Sequence, residues 1–145
     1  MNFASDNTGP AHPAILAALA AANDGYVPSY GNDALTAQVQ DRLRAVFEAP
    51  EAQVFLVPTG TAANALILAT LSDPWQEIYA AEQSHIREDE CNAVENFTGG
   101  ARITTVNPGD ILDAGALRRV MQNATPHGHH NAQNGPVSIV GSNRS

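Results

Sequence analysis

One segment, residues 54–64, constrains the fold of this chain more than any other. It opens with a continuous apolar run at residues 54–57, continues with Pro-Thr-Gly-Thr, and takes on a helical pattern near Thr61. An apolar run of this kind is typical of a strand that is buried on both faces of a parallel sheet. We therefore expect a strand, a tight turn and the start of a helix here.

The turn after this run is suited to binding an anion. Gly60 lets the backbone come close to a ligand, and the first amides of a helix have no intrahelical acceptors, so they can donate to an anion. The hydroxyls of Thr59 and Thr61 can add donors. The segment lacks the lysine of a P-loop and the three glycines of a dinucleotide fingerprint. The alternative is that Thr59 or Thr61 simply caps the helix.

Helical and strand patterns alternate along the chain. Helices are predicted from Pro13 to the turn at 23–25, over 33–48 with a cap at Asn32 or Asp33, from about Thr61, and from a cap at Asp113 through Gln122. Strands are predicted at 54–57, 77–80, 102–106 and 136–140, with an irregular or helical stretch at 88–97. Strands that alternate with helices predict an α/β fold with mainly parallel pairing.

Composition excludes several classes of partner. The 145 residues carry a net charge of −8, and all seven basic residues are arginine. This leaves no basic surface for nucleic acid or for an anionic membrane. The apolar run at 14–22 is too short to span a bilayer, and Cys91 is the only cysteine, so we expect a soluble cytoplasmic protein without disulfides. For Cys91 itself we expect a small, buried apolar role.

Four separated motifs carry a resemblance to a known family. They are Ser5-Asp6-Asn7, Ser29-Tyr30-Gly31, the segment 59–64, and Ser84-His85-Ile86 followed by Glu90. In this order and spacing they resemble the threonine aldolase branch of the β-eliminating lyase family, which are pyridoxal-phosphate enzymes of fold type I. The resemblance covers residues 2–139. It implies an incomplete large domain of the fold type I transferase fold, with a mainly parallel sheet and flanking helices, and a homo-oligomeric full-length protein.

The resemblance also implies roles for individual residues on the cofactor side of a site. Gly60 and Thr61 match the pair that binds the cofactor phosphate through backbone amides. His85 matches a histidine that stacks on the pyridine ring close to the substrate hydroxyl. Glu90 matches a carboxylate beside that histidine, where it can orient the ring or tune its basicity.

On the substrate side the resemblance implies two further residues. Ser5 matches a serine that helps to hold the substrate carboxylate, and Tyr30 matches a tyrosine at the rim of the site. For Glu88 and Asp89 we expect only a solvated acidic surface. The histidines of the 125–135 loop, His127, His129 and His130, have no cysteine or carboxylate that completes a recognisable spacing, so we expect no metal there.

The reaction implied by the resemblance is a retro-aldol cleavage of L-threonine or L-allo-threonine to glycine and acetaldehyde. In the family a lysine binds the cofactor covalently, but this sequence contains no lysine. We therefore expect that residues 1–139 are the N-terminal part of the cofactor-binding domain, that residues 140–145 are an unrelated or truncated tail, and that the chain alone is inactive. The alternative is a non-catalytic fragment that binds a phosphate ligand or docks onto another protein.

Overall fold

The computed structural model describes residues 9–124, 128 and 130–139, in two units that divide between Phe55 and Leu56. The predicted tail at 140–145 lies outside the described residues. Within the described residues, every helix is too short or too polar to cross a lipid bilayer.

The first unit contains two helices, α1 (Pro13–Ala22) and α2 (Ala34–Val46). Asp33 caps α2: its Oδ1 accepts from the Thr36 amide at 2.9 Å and its Oδ2 from the Thr36 hydroxyl at 2.7 Å. These hydrogen bonds lower the pKa of Asp33 below its ordinary value. Both helices were predicted, but no described residue of this unit is buried. Ile15, Leu16 and Leu19, the apolar face of α1, are all more than half exposed.

The prediction of a strand at 54–57 is wrong. Residues 52–57 form no β-ladder with any described residue, and the side chain of Phe55 is 80% exposed. Side chains of α2 take two of the backbone acceptors in this stretch: Arg44 Nε donates to the Ala52 carbonyl at 2.8 Å, and Gln40 Nε2 donates to the Val54 carbonyl at 3.2 Å. An apolar run becomes a buried strand only when neighbouring strands pair with it, and the described strands pair with one another instead.

The second unit contains a parallel sheet of three strands, β1 (Gln76–Ala80), β2 (Arg102–Thr105) and β3 (Gln133–Val137), in the order β2-β1-β3. The strands predicted at 77–80 and 102–106 are confirmed to within one residue. The third begins three residues earlier than predicted and has a register shift against β1 between Glu77 and Tyr79. The sheet therefore agrees with the predicted α/β class.

Helices cover both faces of this sheet. One face carries α3 (Gly60–Leu71), α4 (His85–Glu88) and α5 (Ala93–Phe97), and the other carries α6 (Ala114–Asn123). Successive side chains of a strand point to opposite faces. Ile78 and Ala80 accordingly belong to one core and Tyr79 to the other. The first core consists of Leu68, Ile78, Ala80, Ile86, Val94 and Ala101, and the second consists of Tyr79, Val106 and Ala116 with partly buried neighbours from α6 and β3.

The helix predicted after Asp113 is confirmed as α6. Asp113 Oδ1 accepts from the Ala116 amide at 2.6 Å, which satisfies one of the amides that a helix start leaves open. Leu117, Val120 and Met121 pack against the second core, as their spacing predicts.

A polar cluster surrounds the hydroxyl of Tyr79 on this second face, with Tyr79 and Glu77 buried and Arg102 and Asn134 exposed. The Tyr79 hydroxyl donates to Asn134 Oδ1 and lies 3.2 Å from Glu77 Oε2, while Glu77 Oε1 pairs with Arg102. Burial, with the neighbouring Glu77 charge, raises the pKa of Tyr79 to about 12. The cluster therefore ties the three strands together through their side chains as well as through their backbones.

Candidate active site

The second unit brings three polar side chains together at the segment that follows β1. His85 Nδ1 lies 2.8 Å from Glu90 Oε1, and Asn64 Nδ2 donates to the same oxygen at 2.7 Å. His85 and Glu90 were predicted as site residues from the sequence. Their contact shows that one carboxylate oxygen serves both the imidazole and the Asn64 amide.

Local backbone structure exposes the His85 side chain and buries that of Glu90. Ser84 caps the short helix α4, and its carbonyl accepts from the amides of Arg87 and Glu88. Cys91 and Asn92 then adopt left-handed conformations, with φ of 48° and 57°, and turn the chain into α5. As a result the Glu90 side chain is fully buried, whereas the His85 side chain is 49% exposed.

This contact selects one form of the His85 ring. An ionised carboxylate only accepts hydrogen bonds, so Glu90 Oε1 favours a proton on Nδ1 and leaves Nε2 of the neutral ring as an acceptor. Glu90 Oε2 is also buried and has no partner among the described residues. The His85 imidazole is therefore half exposed, and its Nδ1 is held by the buried Glu90 carboxylate.

The start of α3 is both capped and open. Thr59 Oγ1 accepts from the Ala62 amide at 3.1 Å, so the alternative interpretation of Thr59 as a helix cap is correct. The amides of Gly60 and Thr61 have no acceptor among the described residues. A Cβ built on Gly60 would meet no atom within 4 Å. One side chain therefore caps this helix start, while two of its backbone amides stay available to donate.

The remaining predicted site residues lie elsewhere in the chain. Tyr30 belongs to the first unit, where its side chain is 98% exposed and its backbone has a φ of 61°. Ser5 lies outside the described residues, as do His127 and His129 of the loop considered for a metal. Among the described residues, no three His, Cys, Asp or Glu side chains form a group that could hold a metal ion.

Sequence reasoning missed one residue of the site and misjudged another. Asn64 was not singled out, although it is the only side-chain amide in a helix otherwise made of Gly, Ala, Thr, Leu and Ile, four residues after Gly60. Cys91, which we expected to be buried, is exposed because it lies in the left-handed turn after Glu90. Glu88 and Asp89 are exposed, as predicted.

Comparison with known proteins assigns the family. Residues 2–144 match the family model described as beta-eliminating lyase. This chain belongs to the beta-eliminating lyase family. The family prediction made from the separated motifs is thereby confirmed.

Curated relatives within the beta-eliminating lyase family carry a more specific name. The chain is 37% identical over 119 residues to the low specificity L-threonine aldolase of Pseudomonas sp. strain NCIMB 10558, which covers 81% of this chain and 34% of that protein. It is 41% identical over 101 residues to the low specificity L-threonine aldolase of Pseudomonas aeruginosa, covering 70% and 29%. The chain thus spans about a third of the length of these relatives.

A solved structure supports the same fold. The threonine aldolase of Leishmania major superposes with a TM-score of 0.79 at 25% identity, over 88% of this chain and 36% of that chain. The predicted fold class, part of the α/β fold of these lyases, is therefore confirmed.

Proposed function

We propose that this chain carries the phosphate-binding and ring-facing part of a pyridoxal-phosphate lyase that cleaves L-threonine and related β-hydroxy-α-amino acids to glycine and an aldehyde. The names of the two curated relatives support the substrate class. The observation that carries the proposal is the open start of α3, one helical turn from the Asn64, Glu90 and His85 contacts. We further propose that the whole enzyme is a cytoplasmic homo-oligomer.

The residues present fit the cofactor phosphate. Two amides without described acceptors, at Gly60 and Thr61, point out of a helix start whose dipole favours negative charge. The open space over Gly60 leaves room for a phosphate oxygen to approach the backbone. In this proposal these amides would hold the phosphate, and His85 would face the cofactor ring. When bound, the cofactor supplies the electron sink for cleavage of the bond between Cα and Cβ.

The chain's own residues then handle the proton. In this proposal His85 Nε2 accepts the proton of the substrate's β-hydroxyl, because Nδ1 is already engaged by Glu90. The ring becomes positively charged as it does so, and the buried Glu90 carboxylate, 2.8 Å from Nδ1, stabilises that charge. Ser5 is proposed to bind the substrate carboxylate, and Tyr30 to border the site.

A second candidate follows from the absence of lysine in the sequence. A chain without a lysine amine can still bind a phosphate ligand, but it cannot attach the cofactor through the usual lysine. Such a chain would act as a non-catalytic binder or as an interaction fragment. In the lyase proposal, the lysine comes from outside these 145 residues, so the chain by itself is inactive.

A direct assay tests this part of the proposal. Purified chain, supplied with pyridoxal phosphate and L-threonine, is expected to release no acetaldehyde above the level of a protein-free control, as followed with alcohol dehydrogenase and NADH. The same chain is expected to bind pyridoxal phosphate reversibly in a fluorescence titration. Acetaldehyde release that copurifies with the chain would contradict the proposed inactivity, and failure to bind the cofactor would contradict the proposed site.

Replacing Gly60 with alanine is expected to weaken binding of pyridoxal phosphate by about tenfold or more, because the new methyl group enters the space over the open amides. The free energy of unfolding is expected to rise by roughly 0.4–1 kcal/mol, because the backbone at Gly60 suits alanine and alanine has less conformational freedom in the unfolded chain. Titration with pyridoxal phosphate and chemical denaturation measure the two effects.

Two controls accompany this variant. Thr70→Ala changes the same helix far from its start, where the hydroxyl donates to the Leu66 carbonyl at 2.8 Å, and should leave affinity unchanged. Pyridoxal, which lacks the phosphate, should bind the Gly60→Ala variant and the unmodified chain equally. Equal affinity of the Gly60→Ala variant and the unmodified chain for pyridoxal phosphate would contradict a phosphate site at the start of α3.

A further inference from the structure

We propose that Asn64 is a positioning residue that holds Glu90, and through it the His85 ring, at a fixed place relative to the start of α3. Its amide nitrogen donates at 2.7 Å to Glu90 Oε1, the oxygen that also contacts His85 Nδ1 at 2.8 Å. The inference deepens the proposed function, from which it takes only the role of His85.

The burial of Glu90 makes this hydrogen bond important. Its side chain is fully buried, and its second oxygen has no partner among the described residues. A buried carboxylate is stable only when donors compensate for lost water. Asn64 is the donor that keeps its protons whatever the state of the imidazole, because an amide does not titrate in the range where histidine does. It therefore keeps Glu90 in place while the histidine gains or loses a proton.

The position of Asn64 in α3 couples two parts of the site. Asn64 follows Gly60 by four residues, about one turn or roughly 6 Å along the helix. The same rigid turn thus carries the open amides and the amide that holds Glu90. The Asn64 hydrogen bond therefore links Glu90, and through Glu90 the His85 ring, to the helical turn that carries the open amides.

A change of Asn64 to leucine tests this role, since leucine has a similar size and no donor. Without the donor, the Glu90 carboxyl is free to turn away from the ring, which weakens it as an acceptor for Nδ1–H. The ratio of Nδ1–H to Nε2–H forms of His85 at neutral pH is expected to fall by about threefold or more. Imidazole ¹⁵N chemical shifts of the 145-residue chain measure this ratio.

Two further variants serve as positive and negative controls for the change in the His85 ratio. Glu90→Gln removes the charged acceptor and should shift the ratio in the same direction, whereas Thr70→Ala on the same helix should not change it. An Asn64→Leu protein with a native-like backbone amide spectrum and an unchanged or increased Nδ1–H share would overturn the proposal.

A measurement on the unmodified chain keeps the test decisive if the leucine variant fails to fold. The side-chain amide protons of Asn64 are expected to exchange with water more slowly than those of the exposed Asn96. Equal exchange rates would overturn the proposal. A changed His85 ratio in Asn64→Leu, together with undiminished cofactor binding by Gly60→Ala, would reject the phosphate site but support the positioning role.

Discussion

Replacing Tyr79 with alanine is expected to lower the free energy of unfolding by about 3–5 kcal/mol. Tyr79 lies in β1, the central strand, and its side chain is fully buried against Val106 and Ala116. The change leaves a cavity between the sheet and α6 and removes the hydroxyl contacts to Asn134 and Glu77. Urea denaturation followed by circular dichroism measures the loss, and a loss below about 1 kcal/mol would contradict the described core.

The Tyr79→Phe variant separates packing from the hydroxyl. It keeps the ring and is expected to cost only about 1–2 kcal/mol of the free energy of unfolding, because Asn134 and Glu77 lose one partner.

The stability at alkaline pH tests the same hydroxyl. The folded pKa of about 12 lies above the ordinary value of 10.0, so the native state retains this proton after the unfolded state has lost it. Stability is therefore fully present below pH 10 and falls as pH rises toward 12. Tyr79→Phe should lack this component of the loss.

Replacing Gly135 with alanine is expected to cost at least about 1–3 kcal/mol through overpacking. A Cβ at this position would lie 2.6 Å from the Glu77 carbonyl oxygen and 3.1 Å from Gln76 Cβ. The nearest atom belongs to the backbone of the central strand, so it cannot move aside as a flexible side chain would. Gly135 lies where β3 shifts register against β1, and glycine allows this close approach of two backbones.

Hydrogen exchange and denaturation together measure this effect. The amide of Ser138, which donates to the Tyr79 carbonyl at 2.9 Å, should lose protection as β3 separates from β1. Gly60→Ala is the matched control, because the same change there meets no atom within 4 Å and should stabilise the protein. Full protection and unchanged stability in Gly135→Ala would show that β3 does not pack on β1 as described.

Local signals predicted the helices well. Asp33, Thr59 and Asp113 each cap a helix through a bond that spans three residues, so the sequence contains the whole interaction. The apolar run at 54–57 led to a wrong strand prediction, because strand formation depends on partners that are remote in the sequence. The early start of β3 has the same origin: residues 133–135 lack strand-like side chains and are held by pairing with β1.

The candidate site divides in the same way. The order of the motifs predicted that Gly60, Thr61, His85 and Glu90 are site residues. It also predicted the family of the chain, which is confirmed. The bond from Asn64 to Glu90 spans 26 residues and was not predicted. No short pattern marks such a contact, because it arises from the packing of α3 beside the segment after β1.

The sequence by itself determined the α/β class, the helix starts and the family, because caps, periodicity and ordered motifs are properties of short segments. Only the tertiary structure decided that Glu90 is buried while His85 stays half exposed, and that Asn64 shares its oxygen with the imidazole. The physical reason is that burial and shared acceptors depend on which segments pack together, and that packing is set by the sheet as a whole.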